Sequence, residues 1–170
     1  MTVAAERAIH PTARNVLYLT FKFLHVFGVI ILVGNVTVTA VWKVFADRTR
    51  EASVVAFGQR LVTITDWFLT VGGIVLLVIG GYGAAMVSNL DLLGARWLVW
   101  GQVLLAISGL IWMAILIPAQ MRQATAARAF ANGGEIPASY RRDASRWLFW
   151  GIVATVPLVV ALWVMVFKPM

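Results

Sequence analysis

Tyr18-Leu19-Thr20-Phe21-Lys22-Phe23-Leu24-His25-Val26-Phe27-Gly28-Val29-Ile30-Ile31-Leu32-Val33-Gly34-Asn35-Val36-Thr37-Val38-Thr39-Ala40-Val41 is an apolar run interrupted by two ionisable side chains, Lys22 and His25. At a rise of about 1.5 Å per residue, a helix of this length crosses the roughly 30 Å of hydrocarbon in a bilayer. An ionisable group at that depth costs a few kcal/mol unless it faces a partner or a cavity. The run therefore predicts a transmembrane helix and singles out His25 as the residue carrying most functional information.

Three further blocks resemble it, about 61–86, 97–118 and 147–167. The 170-residue chain is 61% hydrophobic and only 12% charged, against about half and a quarter in soluble domains. The expected fold is an all-α membrane protein, an antiparallel bundle of four transmembrane helices forming a single domain. Nothing shows the alternating pattern of a barrel. Ser88-Asn89-Leu90-Asp91 reads as a short turn, Pro118 as the end of the third helix and Pro157 as a kink in the fourth. The stretch around Asp47-Arg48 and the one from Ala119 to Arg146 read as loops. No internal repeat or linker divides the chain, and the tail before Tyr18 lacks the apolar core of a cleavable signal.

The formal charge of +7 comes from basic residues beside the hydrophobic blocks, so nucleic acid is not an expected partner; the bilayer is. Nine of the fourteen Lys and Arg fall in the first and third connections, and five in or near the tails and second connection. The positive-inside bias then puts both termini on the outer face. With no cysteine, disulfides, thiolate ligands and cysteine nucleophiles are excluded.

At 100° per residue, Gly28, Leu32, Asn35, Val36, Thr39 and Lys43 all lie within about 80° of His25. Asp66, Thr70, Gly73, Gly80 and Ala84 share a face of the second block. Such faces turn toward protein. The glycines admit either another backbone or a flat cofactor. His25 is then either hydrogen-bonded to a neighbouring backbone, or a metal ligand or proton carrier. The cofactor expectation is haem b: His25 as metal ligand, Lys22 or Arg96 for propionates, and Tyr82 or Met86 opposite, with Gln102 in the same half. His10 lies in the polar tail, so bis-histidine ligation would need that tail folded back over the bundle. Zinc lacks ligands, copper through His25 with Met86 or Met165 lacks a paired motif, and Gly80-Gly81-Tyr82-Gly83 lacks the rest of a potassium filter. Asp66 is expected in a salt bridge with Arg60 or Lys43.

Tyr18 to Val26 with Gly34, Thr65-Asp66-Trp67-Phe68-Leu69-Thr70, Gly80 to Gly83, Ile111-Trp112 and Ile117-Pro118-Ala119-Gln120-Met121-Arg122 resemble a bacterial integral-membrane family, domain-of-unknown-function family 2269. The resemblance implies a bacterial inner-membrane protein. More distantly, Lys22-x-x-His25 with Gly34 is similar to the first span of the membrane protoporphyrinogen oxidase and copper-resistance membrane proteins. Here Thr37 to Lys43 replaces the oxidase's Leu-Pro-Arg stretch. That similarity implies haem b at His25.

These readings lead to a small haem-b-binding membrane protein with an electron-transfer or oxidoreductase role. The alternatives are an accessory subunit packed in a larger membrane complex or homo-oligomer, and a metal or small-solute transporter using Lys22, His25, Asn35 and Asp66.

Overall fold

A chain in hydrocarbon must satisfy its own backbone groups, and helices do so within one segment. The computed structural model describes residues 11–169, and all regular structure among them is helical. His10 lies outside the described residues. Four long helices follow in order: α1 (Pro11–Thr49), α2 (Ala52–Val87), α3 (Arg96–Phe130) and α4 (Ala138–Phe167). Each is long and apolar enough to cross a membrane.

Sequence neighbours run antiparallel. His25 bonds Leu77 while Asn35 bonds Thr70, so α2 retraces α1. Arg122 meets Asp143 and Ser108 meets the carbonyl of Ala154, so α4 retraces α3. Lys43 reaches Tyr140, joining α1 to α4 at the end that carries the two long connections. We call this the loop-rich end and the opposite one the terminal end.

At the loop-rich end the helices outrun the apolar blocks. Much of what reads as charged loop is helical, and only Arg50–Glu51 and residues 131–137 connect elements there. The cause is a second apolar cluster: Val55, Ala56, Ala127, Phe130, Ile136 and Tyr140 pack together beyond the membrane blocks. Phe130 and Tyr140 meet edge to face with centroids 5.3 Å apart. Burying these side chains rewards helix where charge density alone suggested coil.

Pro118 does not end the third helix. Residues Trp112–Leu116 form a π-helical turn, with the N–H of Ile117 bonding the carbonyl of Trp112 five residues back, and helix resumes over Ile117–Phe130. A proline lacks the donor and clashes with the carbonyl four residues earlier. The wider turn just ahead of it relaxes that register. Asp66–Thr70 forms a second π turn midway along α2, where Val71 N–H bonds the Asp66 carbonyl. Pro157 lies inside α4.

Packing is uneven along the bundle. Toward the terminal end α1 lies against α2 and α3 against α4, while Val71–Val87 and Arg96–Ile111 make no close backbone approach. The two pairs join through Ala52–Thr65 against Ile117–Phe130 at the loop-rich end. Val62, Leu116, Ala119, Trp147 and Ala154 form the core of that junction.

Candidate functional site

The polar face expected on α1 is buried as a unit: Gly28, Leu32, Asn35, Thr39 and Lys43 all turn inward. It meets three different environments along its length.

In the terminal half, His25 Nδ1 lies 2.8 Å from the Leu77 carbonyl oxygen. The carbonyl only accepts, so Nδ1 carries the proton and donates. Nε2 has no hydrogen-bond partner among the described residues. A Cβ placed on Gly80 would meet the backbone nitrogen of His25, and one on Gly28 would meet the backbone nitrogen of Leu77. One on Gly73 would sit 3.0 Å from Leu32 N, and one on Gly81 2.8 Å from His25 Nδ1. The glycines are therefore occupied by helix-to-helix contact, of the kind that small residues permit in membranes. Of the donors expected for haem, His25 supplies an oriented imidazole whose free nitrogen fits an axial ligand. The α1/α2 interface beside it leaves no slot for a flat macrocycle.

The other expected residues disperse. Tyr82 Oη–H donates to Gln102 Oε1 at 2.6 Å, linking α2 to α3, and Gln102 Nε2 donates to the carbonyls of Leu92 and Leu98. Met86 is 70% exposed. Lys22 is exposed, its ammonium 5.9 Å from the Tyr18 ring centroid. Arg96 is exposed at the start of α3. No group of three or more His, Cys, Asp or Glu side chains converges among the described residues.

Midway along the bundle the face meets Asp66. Its carboxylate is 7% exposed and forms no ion pair among the described residues. Asn35 Nδ2 donates to Oδ1 at 3.0 Å and Thr70 Oγ1 donates to the same oxygen at 3.2 Å. Asn35 also donates to Thr70 Oγ1 at 2.9 Å. The salt bridge expected with Arg60 or Lys43 is absent. Arg60 is exposed, and Lys43 pairs with Asp47 one turn further along α1. A carboxylate inside a span costs up to about 3 kcal/mol to insert, the value at the bilayer centre. The two neutral donors, each worth about 1.5–3 kcal/mol when the acceptor is charged, offset that cost without cancelling the charge.

Asp66 heads a half-open cleft of about 190 Å³ between α2 and α3, lined also by Thr63, Trp67, Trp112, Gln120 and Arg128. Both π turns border it, Asp66 and Trp67 from one and Trp112 from the other. Such turns occur disproportionately at functional sites. The Gln120 side chain is 6% exposed, and its Oε1 is buried without a partner.

At the loop-rich end, Lys43 is 2% exposed. Its ammonium donates to Asp47 Oδ2 at 2.9 Å and to Tyr140 Oη at 2.8 Å, and Tyr140 donates to Asp47 Oδ1 at 3.0 Å. This closed triad satisfies a buried cation and ties α1 to α4.

Sequence reading placed Asn35, Asp66 and Thr70 on inward faces but did not join them to Gln120, Trp112 or Arg128. Those three arrive through the pairing of α2 with α3, which no local spacing encodes. The local hint was a proline after the apolar Trp112–Ile117 stretch, the mark of an irregular turn inside a membrane helix.

Residues 19–169 match the family model described as "Predicted integral membrane protein (DUF2269)". No curated protein and no solved structure matches the chain.

Proposed function

The chain belongs to the predicted integral membrane protein family DUF2269, and from that premise we propose that it binds a cationic solute or a proton at Asp66, as a transporter or the membrane-embedded part of one. The observation that carries this reading is a buried carboxylate held by neutral donors alone at the head of an open cleft. An intramembrane ionisable residue that lacks a protein counter-charge is poised to take a proton or cation from outside the chain. The neutral shell of Asn35 and Thr70 orients the carboxylate for both its empty and occupied forms. Four helices enclose such a path incompletely, so a homo-oligomer or a larger membrane complex completes it.

The test is flux. Proteoliposomes holding the full chain should dissipate an imposed proton or organic-cation gradient faster than empty liposomes, and Asp66→Asn should remove the difference. Equal leak in all three preparations would sink the reading. In a bacterial inner membrane with both termini outward, the Asp66 cleft lies in the cytoplasmic half. The chain has no native cysteine, so single cysteines at Ser88 and Asn132, labelled with an impermeant maleimide in intact cells, report that orientation directly.

A second reading keeps His25 as the residue that would hold haem b, which would supply electron-transfer or oxidoreductase chemistry. One observation favours it: the bond from Nδ1–H to the Leu77 carbonyl fixes the ring and leaves Nε2 without a protein partner among the described residues, the arrangement that orients metal-ligating histidines. A Soret band in the purified protein that is lost in His25→Ala would support it, and a preparation still colourless after haem is supplied would remove it.

A further inference from the structure

Resting on the reading of Asp66 as a cation-binding centre, we infer that the cleft between α2 and α3 takes a primary ammonium group carried on a small apolar or amphiphilic body. Three features choose this chemistry over other cations. The first is the acceptor set. Asp66 supplies a charged acceptor. Gln120, whose residue lines the same cleft, has a buried Oε1 with nothing to accept, which a turn of the side chain toward the cleft would present to a ligand. A buried polar atom without a partner carries a desolvation penalty that a ligand N–H would remove. A protonated amine has three N–H donors, enough for both. A quaternary ammonium has none, and would leave Gln120 as it stands.

The second is the wall. Trp67 and Trp112 line the same cleft, and indole faces attract organic cations while offering an apolar surface to the body that bears the charge. The third is size and ligand number. About 190 Å³ is roughly six water volumes at ~30 Å³ each, far more than a proton needs. A hard metal ion wants six or more oxygen ligands, commonly with several carboxylates. Only Asp66 supplies one here, and no cluster of three acidic or histidine side chains exists among the described residues.

The amine has two possible sources with the same headgroup chemistry: a free small amine, or the ethanolamine headgroup of a bilayer lipid. Arg128 also lines the cleft. It would bind the phosphate of the second and would meet no counterpart in the first.

The experiment uses the full chain in nanodiscs of phosphatidylcholine, titrated calorimetrically with phenethylamine at neutral pH. Phenethyltrimethylammonium is the matched control. The expected result is saturable binding of the primary amine, at least about tenfold tighter than the quaternary one. Asp66→Asn should weaken the primary amine at least tenfold. Gln120→Met, which keeps length and apolar packing, should erase the preference for primary over quaternary and serves if Asp66→Asn misfolds. Replacing part of the lipid with phosphatidylethanolamine separates the sources. A weakened apparent affinity, relieved in Arg128→Gln, identifies the lipid headgroup; an unchanged one identifies a free amine.

Equal binding of both ammonium probes, or amine binding untouched by Asp66→Asn, overturns the inference. Absence of amine binding in a protein whose proton flux still depends on Asp66 overturns the amine assignment and leaves the cation-binding reading standing. Loss of both dependences overturns both.

Discussion

The interface between α1 and α2 around His25 and the cleft between α2 and α3 around Asp66 are built from similar apolar sequence, yet one is closed and the other open. Around His25, Gly28, Gly73 and Gly80 bring two backbones into contact, and the one titratable side chain is satisfied by a carbonyl across the seam. Around Asp66 the cleft is lined by Trp67 and Trp112 from the two π turns, and the Oε1 of Gln120 is left without a partner. Of the buried unpartnered side-chain atoms among the described residues, on Trp42, Gln59, Gln120 and Gln123, that of Gln120 belongs to the residues lining this cleft. Glycine contacts exclude both water and ligand. Side-chain contacts at irregular turns leave volume, and volume lined by unsatisfied polar groups is where a ligand binds.

The sharpest way to break this contrast is at the loop-rich end. Asp47→Ala removes the carboxylate from a 2% exposed Lys43. An uncompensated buried cation should cost about 3–5 kcal/mol, read as a large drop in Tm in detergent. Lys43→Met with Tyr140→Phe, which removes the charge and hydroxyl together, should recover most of it.

Next in size is the closed seam. Gly80→Ala puts a methyl against the backbone of His25 and should cost about 2–3 kcal/mol by overpacking. Gly151→Ala, at a helical position where a Cβ meets nothing within 4 Å, should be neutral or slightly stabilising. A tolerant Gly80 would mean that the helices are not in backbone contact.

His25→Ala loses one interhelical bond, worth about 0.6 kcal/mol on average and at most about 1.7. A larger loss in protein purified without added haem would show that Nε2 also has a partner. Asp66→Asn should move the other way, neutral or stabilising by about 1 kcal/mol. It removes an unpaired charge while keeping an acceptor for Asn35 and Thr70, so loss of function with retained Tm is the expected signature of a site kept at a stability cost.

The smallest effect is outside the membrane. Asp91 accepts the N–H groups of Gly94 at 2.9 Å and Leu93 at 3.0 Å in the α2/α3 turn, and these bonds hold its carboxyl below the usual value. The folded form binds its proton less readily than the unfolded form. The turn's contribution is therefore complete above the unfolded-state pKa and is lost as pH falls through the folded one. Asp91→Asn should flatten the acid limb of the Tm profile slightly, without shifting the neutral plateau by more than a small amount.

Helix number, the antiparallel order and the inward faces were legible because the bilayer imposes them. Apolar length sets a span, and 100° periodicity separates His25, Asn35 and Thr39 from the lipid-facing Val and Ile. The boundaries were not legible beyond the membrane, since Phe130 and Tyr140 pack only after α3 and α4 have paired. Pro118 misled for a related reason: its effect depends on whether the preceding turn widens, and that is set by neighbours.

For the candidate site, the sequence by itself placed Asp66, Asn35 and Thr70 on buried faces and gave His25 its depth. Two outcomes came only from tertiary structure. Glycines able to admit a cofactor or a backbone received a backbone, because α1 and α2 close on each other along their whole length. Gln120 and Trp112 came to the cleft of Asp66 and Trp67 because α3 packs beside α2. Periodicity describes one helix at a time. A cleft belongs to two, and its contents depend on their register and separation.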